Sequence, residues 1–171
     1  MNQKQIKKLA VSAMFTALAV CLSPFYIPIG ASKCFPIQHM VNILGAVFLG
    51  PAYSVGVAFC TSLIRNLMGT GSPLAFPGSM AGAWCSAFLY QRFQKKGFAF
   101  AGEVAGTGVL GALLAYPTAR FFMGKEAAVF AFVLPFLIST LGGSILGILL
   151  VAVFEKTGLL GYMHLQMGNK T

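Results

Sequence analysis

Long apolar runs follow one another along this chain with only short polar breaks, and that patterning excludes most folds. The run 142–154, Gly-Gly-Ser-Ile-Leu-Gly-Ile-Leu-Leu-Val-Ala-Val-Phe, has no polar–apolar alternation. A helix crosses the roughly 30 Å hydrocarbon core with about 20 mostly apolar residues. At roughly 25 residues per helix and loop, the chain length allows about six crossings. A closed β-barrel is the other structure that satisfies its backbone in lipid, but barrel strands alternate in polarity. The pattern therefore predicts an all-α membrane protein, a six-transmembrane-helix bundle built as a single integral membrane domain. Its short loops leave no room for a nucleotide-binding or catalytic domain outside the bilayer. Such a chain either binds something in the membrane or serves a partner that supplies energy.

The expected spans are 9–26, 36–49, 52–68, 77–90, 98–122 and 127–154, with a short polar cytoplasmic tail over 155–171. The second is short and carries polar residues. The basic N-terminus resembles a signal-peptide start, but no small-residue cleavage site precedes the next span, so it reads as a retained helix. With the N-terminus in the cytoplasm, Lys4, Lys7, Lys8, Arg92, Lys95, Lys96, Lys156 and Lys170 fall inside, and Lys33, Arg65, Arg120 and Lys125 outside. The positive-inside rule then favours cytoplasmic termini at both ends. Of the three outer loops, 28–36, 69–76 and 123–126, the first two are longer and rich in Pro, Gly, Ser and Thr. Irregular backbone at membrane depth is tolerated where protein or water covers it, and such loops commonly carry function.

The net charge of +9, twelve Lys and Arg against three acids, is accounted for by basic residues of membrane-protein loops, most of them on the cytoplasmic side. No soluble basic patch interleaved with aromatics is present, so nucleic-acid binding is not expected. Cys21, Cys34, Cys60 and Cys85 lack paired spacing, and neither a zinc site nor a disulfide framework is indicated. His39 has no second histidine or carboxylate at ligand spacing, so metal is not expected. The chain has no Asp, and neither a nucleophilic triad nor paired carboxylates can be assembled. An intramembrane enzyme is thereby disfavoured, and no cofactor is implied. His164 lies in the tail, where a solvated side chain is expected.

Small residues let membrane helices approach closely. Gly78-x-x-x-Gly82, Gly102-x-x-x-Gly106 and Gly143-x-x-x-Gly147 each place two glycines on one helix face, and are expected to pack spans four, five and six together. Ala10, Ala13 and Ala17 form a small-residue stripe on span one, extended by Cys21. It serves either packing within the bundle or docking of another membrane subunit.

Polar side chains at membrane depth are costly and mark function. One cluster is Lys33-Cys-Phe-Pro-Ile-Gln-His-Met-Val-Asn42. Within it Gln38 and Asn42 share a face at i,i+4, and with His39 they offer donors and acceptors suited to a neutral heteroaromatic ligand. A second cluster runs from Arg65 to Ser79, where Arg65 and Asn66 are placed to face a cavity under the Gly-Thr-Gly-Ser run. That run lacks the ending of a phosphate loop. Glu103 is the one acid inside a span, and either pairs with Arg92 or Lys95 near the inner interface or serves a ligand or coupling role. Tyr116, Ser139 and Thr140 are further pocket candidates. Trp84 offers a stacking surface, or else faces lipid.

Four motifs, Lys-Cys-Phe-Pro-Ile-Gln-His-Met-Val-Asn, Arg-Asn-Leu-Met-Gly-Thr-Gly, Ala-Phe-Pro-Gly-Ser and Gly-Glu-Val-Ala-Gly-Thr-Gly, occur in that order. Over about residues 7–154 the chain resembles the ThiW family, substrate-binding S components of energy-coupling factor (ECF) transporters. The resemblance implies a six-helix vitamin-binding subunit in a prokaryotic cell membrane, multi-pass, working with a transmembrane coupling protein and two cytoplasmic ATPases. It implies hydroxyethylthiazole, the thiazole precursor of thiamine, as substrate, with hydroxymethylpyrimidine or thiamine as alternatives. Ala13-x-x-x-Ala17 matches the motif by which S components contact the coupling protein. Gln38, His39, Asn42 and Asn66 occupy positions suited to a ligand beneath the outer loops. The contrasting reading is a membrane assembly subunit without a ligand, which explains the small-residue faces but not the polar clusters.

Overall fold

The computed structural model describes residues 2–29, 32–124 and 128–168. It is all-α apart from one short hairpin. Helix α1 spans Gln3–Cys21 and opens with a capping box: Asn2 accepts from the Lys4 amide, and Gln5 accepts from the Asn2 amide at 3.0 Å. These bonds satisfy amides that the first turn leaves without partners. Strands β1 (Ile27–Ile29) and β2 (Ser32–Cys34) pair antiparallel, Ile27 opposite Cys34. Helix α2 (Pro36–Phe48) starts on a proline, whose missing N–H costs nothing at that position. Gly50, at φ +84°, turns the chain into α3 (Pro51–Leu67). Helix α4 covers Ala75–Phe93 and ends where Gln94 adopts a left-handed conformation.

Helix α5 runs without interruption over Lys96–Phe122, with wider π turns at Gly106–Gly111 and Thr118–Phe122. Helices α6 (Val133–Lys156) and α7 (Leu159–Met167) complete the chain. Among the described residues, α5 and α6 are long and apolar enough to cross a bilayer on length and composition alone. The expected second span is a helix of 13 residues, about 20 Å long at 1.5 Å per residue. It falls short of the roughly 30 Å core. This helix is buried from Gln38 to Phe48, so protein rather than lipid covers its ends. The sixth helix begins at Val133 rather than 127, and turns occupy 129–132. The expected outer positions of Lys33 and Lys125, the inner position of Lys170, and the loop residue Glu126 rest on side chains or segments outside the described residues.

The polarity of α2 divides the bundle. Its first turns carry Gln38, His39 and Asn42; its last turns carry Ile43, Leu44, Val47 and Phe48. Around that second half Phe48 packs against Phe15 and Phe154, with ring centroids 6.3 and 5.8 Å apart. The polar half lies towards the hairpin and the apolar half towards the termini. The two termini meet through Lys7 and Gln166. Trp84, Leu114, Leu149 and Val153 point outward from their helices, an apolar exterior that suits lipid contact.

Three expectations change against this architecture. The tail folds back as α7, and His164 is buried, its Nε2 3.1 Å from the Val47 carbonyl and its ring edge-on to Phe48. The apolar residues of α7 gain a core by closing the bundle's terminal end, so His164 is not solvated. Second, the glycine faces are selective. A Cβ on Gly102 would stand 2.6 Å from the Cys85 carbonyl, and one on Gly106 2.7 Å from that of Ala81, so α4 and α5 are in backbone contact. A Cβ on Gly143 would stand 2.1 Å from the Pro36 carbonyl, and one on Gly147 2.8 Å from the Ile43 side chain. Span six therefore uses its glycines against α2. Third, Ala10, Ala13, Ala17 and Cys21 are all exposed, while Phe15 and Ala19 face the bundle. The alanine stripe does not pack within the chain.

Candidate functional site

Helix α2 enters the bundle on Pro36, and its first buried turns place Gln38, His39 and Asn42 among α3, α4 and α5. Gln38 and Asn42, one turn apart, both reach Ser79 on α4. Gln38 Nε2 donates to Ser79 Oγ at 2.9 Å and to Ser62 Oγ at 3.3 Å. Asn42 Nδ2 donates to the Ser79 carbonyl at 3.1 Å.

His39 turns to α5. Its Nδ1 lies 2.9 Å from Oε1 of Glu103, which is fully buried. The same oxygen accepts from Asn42 Nδ2 at 3.0 Å and from Thr107 Oγ1 at 2.9 Å. Thr107 reaches it because i,i+4 residues of a helix stand over one another. Neither Arg92 nor Lys95 approaches Glu103; among the described residues its ion-pair partner is His39. A carboxylate in apolar surroundings is tolerated when charge-assisted hydrogen bonds satisfy it. Its second oxygen, Oε2, has no hydrogen-bond partner among the described residues. Because a carboxylate accepts, Nδ1–H of His39 donates, and Nε2 has no hydrogen bond among the described residues.

Above this network is a cavity of about 420 Å³, within the usual size of small-molecule sites, about 300–1,000 Å³. Gln38, His39, Ser79 and Thr107 line its base, Phe35 and Phe136 its sides, and Gly69-Thr70-Gly71-Ser72 its rim. Arg65 from the last turn of α3 also lines it. Its Nη1 donates to Gln38 Oε1, and its guanidinium stacks on the Phe35 ring at 4.0 Å. Phe35 is fixed in turn by its backbone N–H, which donates to Ser139 Oγ at 2.9 Å. A second cavity, about 570 Å³, opens at the terminal end between Lys8, Tyr53, Tyr90 and His164. The polar cluster and the looped rim favour the first as the site.

The structure brings Gln38, His39, Asn42 and Glu103 into one network, with Gln38 and His39 at the cavity wall. Thr140 braces it from behind, its Oγ1 donating to the Glu103 carbonyl at 3.4 Å. Asn66 holds the rim rather than the wall: its Nδ2 donates to the Ser62 and Ser72 carbonyls at 2.7 and 3.1 Å. Trp84 stacks on Phe88 at 5.3 Å on the outer surface, where it is half-exposed. Tyr116 accepts from Arg120 Nη1 at 2.8 Å, one turn along α5, and does not line the cavity. Sequence reasoning passed over Thr107 and Ser62. The signal for each was helical spacing, Thr107 four residues from Glu103 and Ser62 four from Asn66.

The family model of the thiamine-precursor transporter protein (ThiW) matches residues 9–157. No curated protein matches the chain. The match covers the helices that build the cavity and most of the chain, and the chain belongs to this family of membrane transporters.

Proposed function

We propose that this ThiW-family chain is the substrate-binding S component of an ECF transporter and captures a thiazole precursor of thiamine, hydroxyethylthiazole in the first instance. The observation that carries this reading is the 420 Å³ cavity floored by Gln38 and His39 and backed by the His39–Glu103 pair. An aromatic heterocycle fits between Phe35 and Phe136, with a few polar anchors beneath it, the usual balance of a small-ligand site. Six crossings with both termini cytoplasmic would turn this cavity to the cell exterior in a prokaryotic membrane. The chain carries no phosphate loop, so ATP hydrolysis falls to two partner ATPases, joined through a coupling protein. The exposed Ala10, Ala13 and Ala17 face is the docking surface in this reading, since small residues permit close helix approach.

The test is ligand-dependent thermal stability of the detergent-purified chain across hydroxyethylthiazole, hydroxymethylpyrimidine, thiamine and unrelated vitamins. A ligand that binds only the folded state raises apparent stability. A selective shift with the thiazole is expected. A shift with another vitamin alone replaces the substrate and keeps the transporter class. No shift with any of them moves the weight to a subunit without a ligand.

A further inference from the structure

Arg65 is 1% exposed and is held by neutral partners. Gln38 accepts from its Nη1, the Thr70 carbonyl accepts from its Nη2 at 3.4 Å, and the Phe35 face covers its plane. Its Nε, also buried, has no hydrogen-bond partner among the described residues. Among the described residues no carboxylate pairs with it. Glu103 pairs with His39 and Glu155 with Lys96, while Glu126 lies outside the described residues. The Glu103 carboxylate is beneath the cavity floor and does not line the cavity. The end of α3 and the Thr70 carbonyl contribute partial negative charge, but not a full counter-charge. A buried unpaired cation is expensive, and a binding site is one place where that cost is repaid by the ligand.

We propose that the cavity binds a ligand carrying an anionic group, a carboxylate or a phosphate, seated on the Arg65 guanidinium beneath the Gly69-Thr70-Gly71-Ser72 rim. This rests on reading the cavity as the substrate site, and narrows the thiazole class to its acidic members. The planar fork of Arg suits such oxyanions. The aromatic ring then lies deeper, between Phe35 and Phe136, with its polar atoms within reach of Gln38 and the free Nε2 of His39. The rim adds no acidic side chain to oppose an anion.

The experiment titrates the full purified chain with three probes that share one ring: hydroxyethylthiazole, its phosphate monoester, and the thiazole bearing a carboxylate. An ion-paired hydrogen bond at such a site favours an anionic probe over the neutral one by about ten- to hundred-fold. Which anionic probe binds tighter tells carboxylate from phosphate. Arg65→Gln should abolish that preference, weakening the anionic probes at least about ten-fold more than the neutral one. Arg65→Lys, which keeps the charge, should retain part of the preference, and stands in if Arg65→Gln does not fold. The inference is overturned if the neutral probe binds as tightly as both anions, or if Arg65→Gln weakens all three alike, as a pure rim brace would. It is also overturned if Glu126→Gln creates an anion preference that the wild type lacks, because Glu126 would then be the counter-charge. If no thiazole binds, the substrate reading fails. The anion site is then judged by inorganic phosphate and acetate, whose stabilisation of the wild type must vanish in Arg65→Gln.

Discussion

Three donors from three side chains, on α2 and α5, converge on one carboxylate oxygen of Glu103. That convergence ties the stability of the bundle to the shape of the cavity floor. Replacing Glu103 by Ala removes the acceptor that His39, Asn42 and Thr107 share, leaving Asn42 only the Ser79 carbonyl and Thr107 only the Gly78 carbonyl. Removing one partner of a buried pair costs about 3–5 kcal/mol, and Glu103→Ala should unfold at a clearly lower temperature in detergent. Glu103→Gln keeps an amide oxygen as acceptor, so its loss should be nearer the cost of a neutral hydrogen-bond change, about 1–3 kcal/mol. Equal melting of Glu103→Ala and wild type would mean the network is not built as described. Part of this site was legible in the sequence. Gln38 and Asn42 announced a shared face by spacing alone, and the cost of polar groups in lipid marked His39. The partner of Glu103 was not legible. Arg92 and Lys95 were its neighbours in sequence, but Glu103 stands seven residues beyond Lys96, about 10 Å along the helix axis. The side chain that meets it belongs to a helix 64 positions away, and no local pattern encodes which helix faces which.

At the scale of elements, α2 is the post around which the others pack, and glycines set how closely they come. Two adjacent glycines on α6 make the point. Gly143 is buried, and a Cβ there would lie 2.1 Å from the Pro36 carbonyl and 2.7 Å from the His39 Cβ; Gly142 has nothing within 4 Å. Gly143→Ala must push α6 away from α2 at the point where His39 enters the site. Overpacking of this kind costs about 1–3 kcal/mol, and ligand affinity should fall with it. Gly142→Ala meets open space and should be neutral or stabilising by up to about 1 kcal/mol, the usual gain of Ala over Gly in a helix. Comparing the melting temperatures of the two variants checks the α2–α6 contact, and equal effects would discard it. The small-residue spacing in the sequence identified the sticky faces correctly as faces. It matched the pairing of α4 with α5 but not the partner of the α6 glycines, which meet α2, because a stripe records that something approaches closely and not what. The same limit hid α7: its contact with Val47 and Phe48 joins residues more than a hundred positions apart, and a short segment after the last long apolar run reads as a tail.

For the whole molecule, the separation of a polar half from an apolar half coincides with a separation of charge. Lys4, Lys7 and Lys8 lie at the start of α1, Arg92 and Lys95 at the α4–α5 turn, Lys96 beside Glu155, and Lys156 at the end of α6. Lys7 meets Gln166, so these elements share the end where the termini meet. Arg65 and Arg120 belong to the opposite end, with the cavity. A bilayer orients such a molecule through its basic residues, and in the proposed arrangement that rule would put the termini in the cytoplasm and the cavity outside. The long apolar runs made membrane residence readable from the sequence, whereas the shortness of α2 shows why counting runs is not the same as counting crossings. A helix enclosed by its neighbours needs to satisfy only itself and them. The orientation can be tested in intact cells with a membrane-impermeant thiol reagent, on a chain whose native Cys21, Cys34, Cys60 and Cys85 are replaced. Pro73→Cys, on the exposed loop before α4, should label from outside. Lys95→Cys, on the exposed turn after α4, should label only once the membrane is permeabilised. The reverse pattern would turn the cavity to the cytoplasm and remove the basis for capture from outside. Labelling of both positions in intact cells would mean that α4 does not cross, and the six-crossing arrangement would fall with it.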